Sequence, residues 1–412
     1  MPRGLRAASA CVLAVLAFAA VGCGGTTDDG APANGPRTLT IYSSLPLHGP
    51  DRERSRDMVN AIKLALQESG GKIGALSVTY VSLDSSTAED DGWTRDKVLD
   101  NARTAVRDLN AIAYIGDLDS AATALSLPLT NEAHVLQVSP SSTYDGLTRP
   151  GGRRPAEPER FYPSGLRTFG RMVPADHLQA SALVGYMKAD GVRRLALLAD
   201  RDLYGGGLAD QIEKAAARQG VAVEDRGRID ARTGDLSDNA ADVAKQHADA
   251  FLFAGGDAAG AARIYQAVAT AAPGLALYGP DAVADDPAVV QLPAATLRRM
   301  RVTSPLLPLR MLPGAARTFD ARFNTTFGRH PAPEALEAYE ATLVVLAAIR
   351  NAGLKGNDRR AVTKAFFATR DRPSVLGTYS IDRNGDTSLR TFAGNRLTRS
   401  GLMLDKVLKI RR

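Results

Sequence analysis

Short apolar runs alternate along this chain with longer segments whose apolar residues fall at helical spacing. Residues 38–46 (TLTIYSSLP) alternate and end in polar groups, as a half-buried strand does. Residues 54–67 carry Met58, Ala61, Ile62, Ala65 and Leu66 on one helical face and stop near Gly70 and Gly71. A strand at 76–83, a helix at 94–109 and a strand at 111–115 follow. Strands alternating with helices of this length predict βαβ units around a parallel sheet.

The stretch 111–143 (AIAYIGDLDSAATALSLPLTNEAHVLQVSPSST) places polar groups at successive strand ends. It reads as a strand, a loop, a helix and a second strand at 134–138, closed by Ser139-Pro140-Ser141-Ser142-Thr143. Parallel sheets leave a crevice outside the carboxyl ends of their strands, where helix N-termini present spare backbone N–H groups. Ser120 is placed to cap the helix, and Ser141, Ser142 and Thr143 sit at the neighbouring strand end, so a small carboxylate would meet neutral donors there. The same residues also read as a plain cap and a plain Ser-Pro turn.

Residues 146–168 (GLTRPGGRRPAEPERFYPSGLRT) are dense in Pro, Gly and Arg and predict a long surface loop, with Arg153 and Arg154 in solvent, before a crossing strand at 169–173. A second series then runs helix 178–188, strand 194–199, loop 200–207, helix 208–219, strand 221–225, helix 240–247 and strand 250–253. Asp257 follows that strand, a helix covers 259–271, and a strand at 275–278 leads into the turn Gly279-Pro280-Asp281. Two similar series imply two Rossmann-like lobes with a cleft between them. Further helices are predicted at 315–327, 334–351 and 361–368; the middle one is apolar on more than one face, so it is expected to be buried in the first lobe. Residues 375–381 and 389–397 read as a terminal hairpin about Asp382-Arg383-Asn384-Gly385-Asp386, an Asn-Gly turn that lacks the later glutamate of a calcium loop.

At 412 residues the chain exceeds the size at which one core keeps growing, which favours two domains. Its start changes the picture most. Arg3 and Arg6 precede a short apolar run over 7–21 and then Gly22-Cys23-Gly24-Gly25, an export signal too short to span a bilayer. The tail Ala20-Val21-Gly22-Cys23 resembles the bacterial lipobox, which would make Cys23 the lipidated first residue of the mature chain; ordinary cleavage after a small residue is the alternative. Cys11 would be discarded, leaving a single cysteine and no internal disulfide. Residues 26–37 read as a flexible tether. The net charge of +6 becomes +4 once Arg3 and Arg6 are set aside, and with aromatics at 6% this argues against nucleic acid as a partner.

The chain carries no zinc-protease motif, nucleophile elbow, Walker loop or dinucleotide fingerprint, and its five histidines are isolated from one another. No catalytic group, metal or cofactor is expected. The pattern is that of binding without bond-making.

Several segments, taken in order, resemble one known family: IYSSLPLHG, YIGDLDSAAT, QVSPSST, RTFGRMVPADHLQA, DRDLYGGGLA, FAGGD and YGPDAV. The family is that of the branched-chain amino acid (Leu/Ile/Val) substrate-binding proteins of ABC transporters, and the resemblance covers residues 38–400. It implies an α/β type I periplasmic-binding-protein fold. It also implies that Ser120, with groups at Ser141 and Thr143, grips the ligand's α-carboxylate. Asp281 would meet the α-ammonium, helped by the Ser141 carbonyl and the Thr143 hydroxyl, and Tyr204 would close an aromatic ring over the ligand. A further family aromatic is replaced by Asp257 or Ala258. From the residues alone, Asp281 also reads as a turn former, Tyr204 as a loop aromatic covering its own lobe, and Asp257 as the cap of the next helix.

The expected organisation is a signal peptide at 1–22, lipidated Cys23 and tether at 23–37, a first lobe at 38–175 plus 306–374, and a second at 176–305 plus 375–412. Three crossings would lie near Asp176, Pro305 and Val375. The expected role is capture of an amino acid or amide by hinge closure and delivery to an ABC permease, by a monomer anchored outside the cell membrane. A ligand sensor acting on a membrane signalling partner is the alternative.

Overall fold

The computed structural model describes residues 37–411 apart from 91, 232, 234, 257, 285 and 286. The export signal, Cys23, all of the tether but Arg37, and Asp257 lie outside the described residues. The chain begins with β1 (Thr38–Leu45), α1 (Arg52–Glu68), β2 (Lys72–Ile73), β3 (Leu76–Asp84), α2 (Arg95–Arg107), β4 (Ala111–Gly116), α3 (Ser120–Glu132), β5 (Leu136–Ser139) and β6 (Phe169–Arg171). These strands form a six-stranded sheet in the order β2-β3-β1-β4-β5-β6, parallel except where β2 meets β3. The strand order reverses direction beside β1, and the carboxyl ends of β1, β4 and β5 therefore open onto one crevice.

The second series is α4 (Asp176–Ala189), β7 (Arg194–Asp200), α5 (Leu203–Gln219), β8 (Ala222–Ile229), α6 (Ser237–Lys245), β9 (Ala250–Ala254), α7 (Ala258–Ala271), β10 (Ala276–Gly279), α8 (Pro287–Val290), α9 (Ala294–Leu297) and β11 (Met300–Ser304). The chain then returns to the first lobe with α10 (Gly314–Phe327), α11 (Ala335–Asn351), α12 (Arg359–Phe367), β12 (Arg372–Ser374) and β13 (Gly377–Tyr379), and ends in β14 (Thr391–Thr398) and β15 (Gly401–Lys409). The second sheet has seven strands in the order β15-β14-β11-β10-β9-β7-β8, with β14 and β15 joining antiparallel. Its centre is buried on both faces: along β9, Phe251 and Phe253 enter one apolar cluster while Ala250, Leu252 and Ala254 enter the other. That period-two split explains why this strand is an unbroken apolar run.

The α/β two-lobe architecture expected from the sequence is present. Helix α11 packs against α1, and Val344, Val345 and Ile349 join the first-lobe core with Ile41, Ile62 and Ile115, as its two-faced apolar pattern predicts. Among the described residues no helix is long and apolar enough to cross a membrane.

Three expectations need correction. Segments 375–381 and 389–397 are not partners in a hairpin: β13 pairs with β12, and β14 pairs with β15 through the turn at Thr398–Gly401. Accordingly Val375, Leu376, Tyr379 and Ile381 sit in the first-lobe core, so the third crossing follows Ile381 and residues 375–381 leave the second lobe. The Asp382–Asp386 turn does form, bridged at Ile381 and Thr387; its Gly385 (φ +96) lies against the Phe169 carbonyl, where a Cβ would collide. Finally, residues 203–207 are helical: Asp202 caps α5 by accepting from the Gly205 N–H at 2.5 Å, and Tyr204 through Gly207 form its first turn.

Candidate functional site

The loops after β4 and β5 are laced together by hydroxyls. Ser139 Oγ donates to the Asp117 carbonyl at 2.8 Å, Ser141 Oγ to the Leu118 carbonyl at 2.6 Å, and the Ser142 and Thr123 hydroxyls meet at 2.7 Å. Asp117 is fully buried, accepts from Ser126 Oγ at 2.5 Å, and burial pushes its carboxyl up to about 7. This lacework is rigid and presents Ser120 and Thr143 together, each 3% exposed.

Ser120 does not cap α3, as its position suggested. Asp119 is the cap and accepts from the N–H groups of Ala121 at 2.6 Å and Ala122 at 3.3 Å. A carboxylate is a stronger acceptor than a hydroxyl for two successive N–H groups. Ser120 is instead the first helical residue, and its Oγ accepts the Tyr144 N–H at 3.2 Å, leaving the hydroxyl proton for another acceptor. Ser141 spends its hydroxyl within the loop, so its side chain is not the carboxylate donor that the resemblance implied.

Asp281 lies just beyond β10 in the second lobe, at the start of a short helical turn over Asp281–Val283. Its Oδ1 accepts from the Tyr204 hydroxyl at 2.6 Å and from Gln179 Nε2 at 2.8 Å. Among the described residues its Oδ2 takes no hydrogen bond, so one oxygen is fixed and the other is left to act. Tyr204 is nearly buried, and burial together with Asp281 and Asp176 holds its phenol well above the usual range.

Asp176 and Gln179 stand in the first turn of α4. Both are fully buried. The Asp176 N–H donates to the Thr143 carbonyl at 3.0 Å, joining α4 to the β5 strand end. Neither Asp176 oxygen gains a hydrogen-bond partner of good geometry, although the Thr143 hydroxyl and the Arg171 charge act on it favourably. Burial first, then the like charges of Asp145 and Asp281, raise its carboxyl well above the usual range. Gln179 Oε1 is likewise without a partner.

A charged group of the first lobe lies within electrostatic reach of Asp281. Arg54 on α1 donates to Asp51 at 2.6 Å and to Glu334 at 3.2 Å. Burial works against its charge, and Glu334, Asp51 and, across the gap, Asp281 more than offset that. Asp119 feels the same group, and burial raises its carboxyl despite the two amide bonds. Glu334 occupies the position before α11 with φ +64, a conformation that costs a non-glycine residue energy and that concentrates at binding sites. Arg54 and Asp51 stand three apart on α1, a spacing that in sequence reads as a solvated helix pair.

Around the site the lobes touch. Leu203 of α5 packs with Tyr144, Ala124 and Leu127 of the first lobe. A Cβ at Gly207 would stand 2.5 Å from the Tyr144 ring, and one at Gly206 would strike the Arg153 guanidinium. Arg153, expected in solvent, is therefore an inter-lobe residue, 19% exposed and 3.8 Å from Asp210. Tyr204 and Asp281 are thus joined by a hydrogen bond in the second lobe, and Asp176, bonded to the Thr143 carbonyl and acted on by Asp281, links them to the β5 strand end; the place of Asp257 is outside the described residues. A separate cavity of about 420 Å³ lies beside the crossings, lined by residues such as Val173, Leu306, Leu336 and Leu402, and reaches Glu334 but none of the predicted ligand residues.

Residues 38–393 match the model of a family described as periplasmic binding protein. No curated protein matches the chain. Among solved structures it is similar to a leucine-binding protein, LivK, from Thermotoga maritima, at 21% identity over 90% of this chain and 99% of that one, with a TM-score of 0.77. It is also similar to the branched-chain amino acid transporter substrate-binding protein LivJ from Streptococcus pneumoniae, solved with isoleucine, at 18% identity over 90% and 100% with a TM-score of 0.73. A solute-binding protein of an ABC transporter from Rhodopseudomonas palustris, solved with 3,4-dihydroxybenzoic acid, shares 16% identity over 92% and 99%, also with a TM-score of 0.73. The similar structures include binding proteins solved with an amino acid and with an aromatic acid, so the fold leaves the solute open. By the span of the family match and the two-lobe fold, this chain belongs to the periplasmic binding protein family.

Proposed function

We propose that this protein is the extracytoplasmic substrate-binding component of an ABC importer, tethered through a lipidated Cys23, that captures an amino acid or related small amine by closing its lobes. The observation that carries this reading is the fixing of Asp281 Oδ1 by Tyr204 and Gln179, which leaves Oδ2 without a hydrogen bond among the described residues. A preoriented carboxylate binds an ammonium without further ordering cost. Ser120 Oγ–H, with its lone pair occupied by Tyr144 N–H, is oriented to donate to the other pole of the solute. Because the two poles belong to different lobes, a solute that bridges them favours the closed form over the open one. Handover to a permease then needs reopening about the three crossings and no chemical step.

Titration calorimetry of the protein with a panel of amino acids and amides tests the reading. At least one compound is expected to bind, and Asp281→Ala is expected to weaken it on the order of 100-fold, the scale of a lost charge-assisted bond. Unchanged affinity in that folded variant overturns the ammonium assignment.

A further inference from the structure

We infer that the solute is a net cation, either a basic amino acid or an aliphatic diamine, whose amine sits between Asp176 and Asp281. This rests on the solute-capture reading and narrows its substrate class.

The argument starts from unmet hydrogen bonds. Buried polar atoms are almost always paired, and an unpaired buried acceptor is costly unless something else supplies the donor. On α4 three such atoms occur together: Oδ1 and Oδ2 of Asp176 and Oε1 of Gln179. All three are acceptors, and both residues are fully buried. Asp281 stands close enough to act on Asp176 as a like charge, and its own Oδ2 is unspent. The Thr143 hydroxyl approaches the same carboxyl. An ammonium is a compact triple donor with one positive charge, and it answers both the missing donors and the clustered negative charge.

Most of the side-chain donors beside this cluster that would receive an anion are, by contrast, already used; the buried Arg153 Nη1, at the lobe contact beside Gly206, is the exception. Gln179 Nε2 and the Tyr204 hydroxyl serve Asp281, Ser141 Oγ serves the Leu118 carbonyl, and the first free N–H groups of α3 serve the Asp119 carboxylate. The Arg171 guanidinium is committed to Asp386, Thr148 and the carbonyls of Ser142 and Tyr144. Ser120 retains one hydroxyl proton, enough for a single carboxylate contact. At the start of α1 the Arg54 guanidinium is shared by Asp51 and Glu334 and lies near Asp119, so that end too has more carboxylates than cations. An aliphatic side chain docked there would bury this charged group against hydrocarbon at a cost no contact repays. A second amine would be received by Asp51, Glu334 and Asp119.

Calorimetry on the full-length protein in detergent tests this with lysine, ornithine and arginine, with putrescine and cadaverine, and with leucine, glutamate and benzoate. Binding of members of the first two groups in preference to the third is expected. The amino acids exceeding the diamines shows that Ser120 reads a carboxylate, and the reverse shows that it does not; both support a cationic solute. Asp176→Asn keeps the shape and removes the charge, so it is expected to fold at least as stably as wild type and to bind these cations about 10- to 100-fold more weakly. Unchanged cation affinity in Asp176→Asn overturns the inference, since a neutral carboxyl donor would be mimicked by the amide. Preferred binding of leucine, glutamate or benzoate overturns the cation assignment and leaves solute capture standing. No response to any of the compounds overturns both.

Discussion

Two buried aspartates, Asp176 at the first crossing and Asp386 in the segment that follows Ile381, receive opposite treatment. Asp386 accepts Arg171 Nε at 2.8 Å and Arg149 Nε at 2.6 Å, and those cations hold its carboxyl down at about 2 against the pull of burial. Asp176 is as deeply buried, is answered only by the Thr143 hydroxyl and the weaker influence of Arg171, and is pushed up by burial and by Asp145 and Asp281. The same side chain is therefore a brace in one place and an unfilled receptor in the other. What distinguishes them is whether the chain supplies the counter-charge. Where it does, the pair fixes geometry: Arg171 ties the carbonyls of Ser142 and Tyr144, so Asp386 indirectly sets the loop that carries Thr143. Where it does not, the missing partner is to be brought in from solution.

The contrast breaks most sharply at Asp386. Asp386→Ala leaves the Arg171 guanidinium fully buried without the carboxylate bonded to it, and removing one partner of a buried pair costs about 3–5 kcal/mol. Urea denaturation is expected to show that loss in Asp386→Ala and none in Asp176→Asn. Equal losses in the two variants would mean that Asp176 is a brace as well.

Acid and neutral pH should separate the two kinds of carboxyl next. Asp386 has its folded value lowered from 3.8 to about 2, so its stabilisation is complete above pH 4 and disappears as pH falls through 2, a loss of about 2 kcal/mol. Asp117 and Glu337 have folded values raised to about 7 and about 8, chiefly by burial. Their sign is opposite: the folded form holds the proton, so stability declines as pH rises from about 4 through 7 and 8. Stability measured by denaturant at a series of pH values is thus expected to peak near pH 4–5. A curve that rises steadily to pH 8 contradicts the burial of the raised carboxyls.

Much of the frame of this contrast was legible in the sequence, because periodicity reports burial directly. The βα series, the burial of α11 and the strand ends carrying Ser120, Thr143 and Asp281 follow from patterns that a solvent-facing and a core-facing side must produce. What remained hidden depends on contacts between residues far apart in the chain. Arg171 finds Asp386 over 215 positions and Arg54 finds Glu334 over 280, and no local pattern encodes either pair. Asp176 after Pro174 and Ala175 looks like any helix-opening acid, and only the absence of a donor in three dimensions marks it. Residues 375–381 were assigned to the wrong lobe for the same reason: an alternating strand does not say which neighbour it pairs with, and β12 was too short to announce itself. Ser120 was misread as a cap because Asp119 beside it has the stronger claim on the same N–H groups.

The smallest expected effect tests how Asp281 is held between these extremes. Its Oδ1 has two donors within the second lobe, so Tyr204→Phe removes one and leaves Gln179 Nε2 at 2.8 Å. A net hydrogen bond is worth about 0.5–1.5 kcal/mol, and the ring that fills the space is retained. If the hydroxyl only orients Asp281, denaturation should register that loss in the unliganded protein, and affinity for lysine or cadaverine should fall less than about 10-fold, since Oδ2 still faces the amine. A fall as large as that of Asp281→Ala would place the Tyr204 hydroxyl itself among the groups that touch the solute. In that case Asp281 resembles Asp386 more than Asp176, its charge already spoken for, and the amine would be held by Asp176 alone.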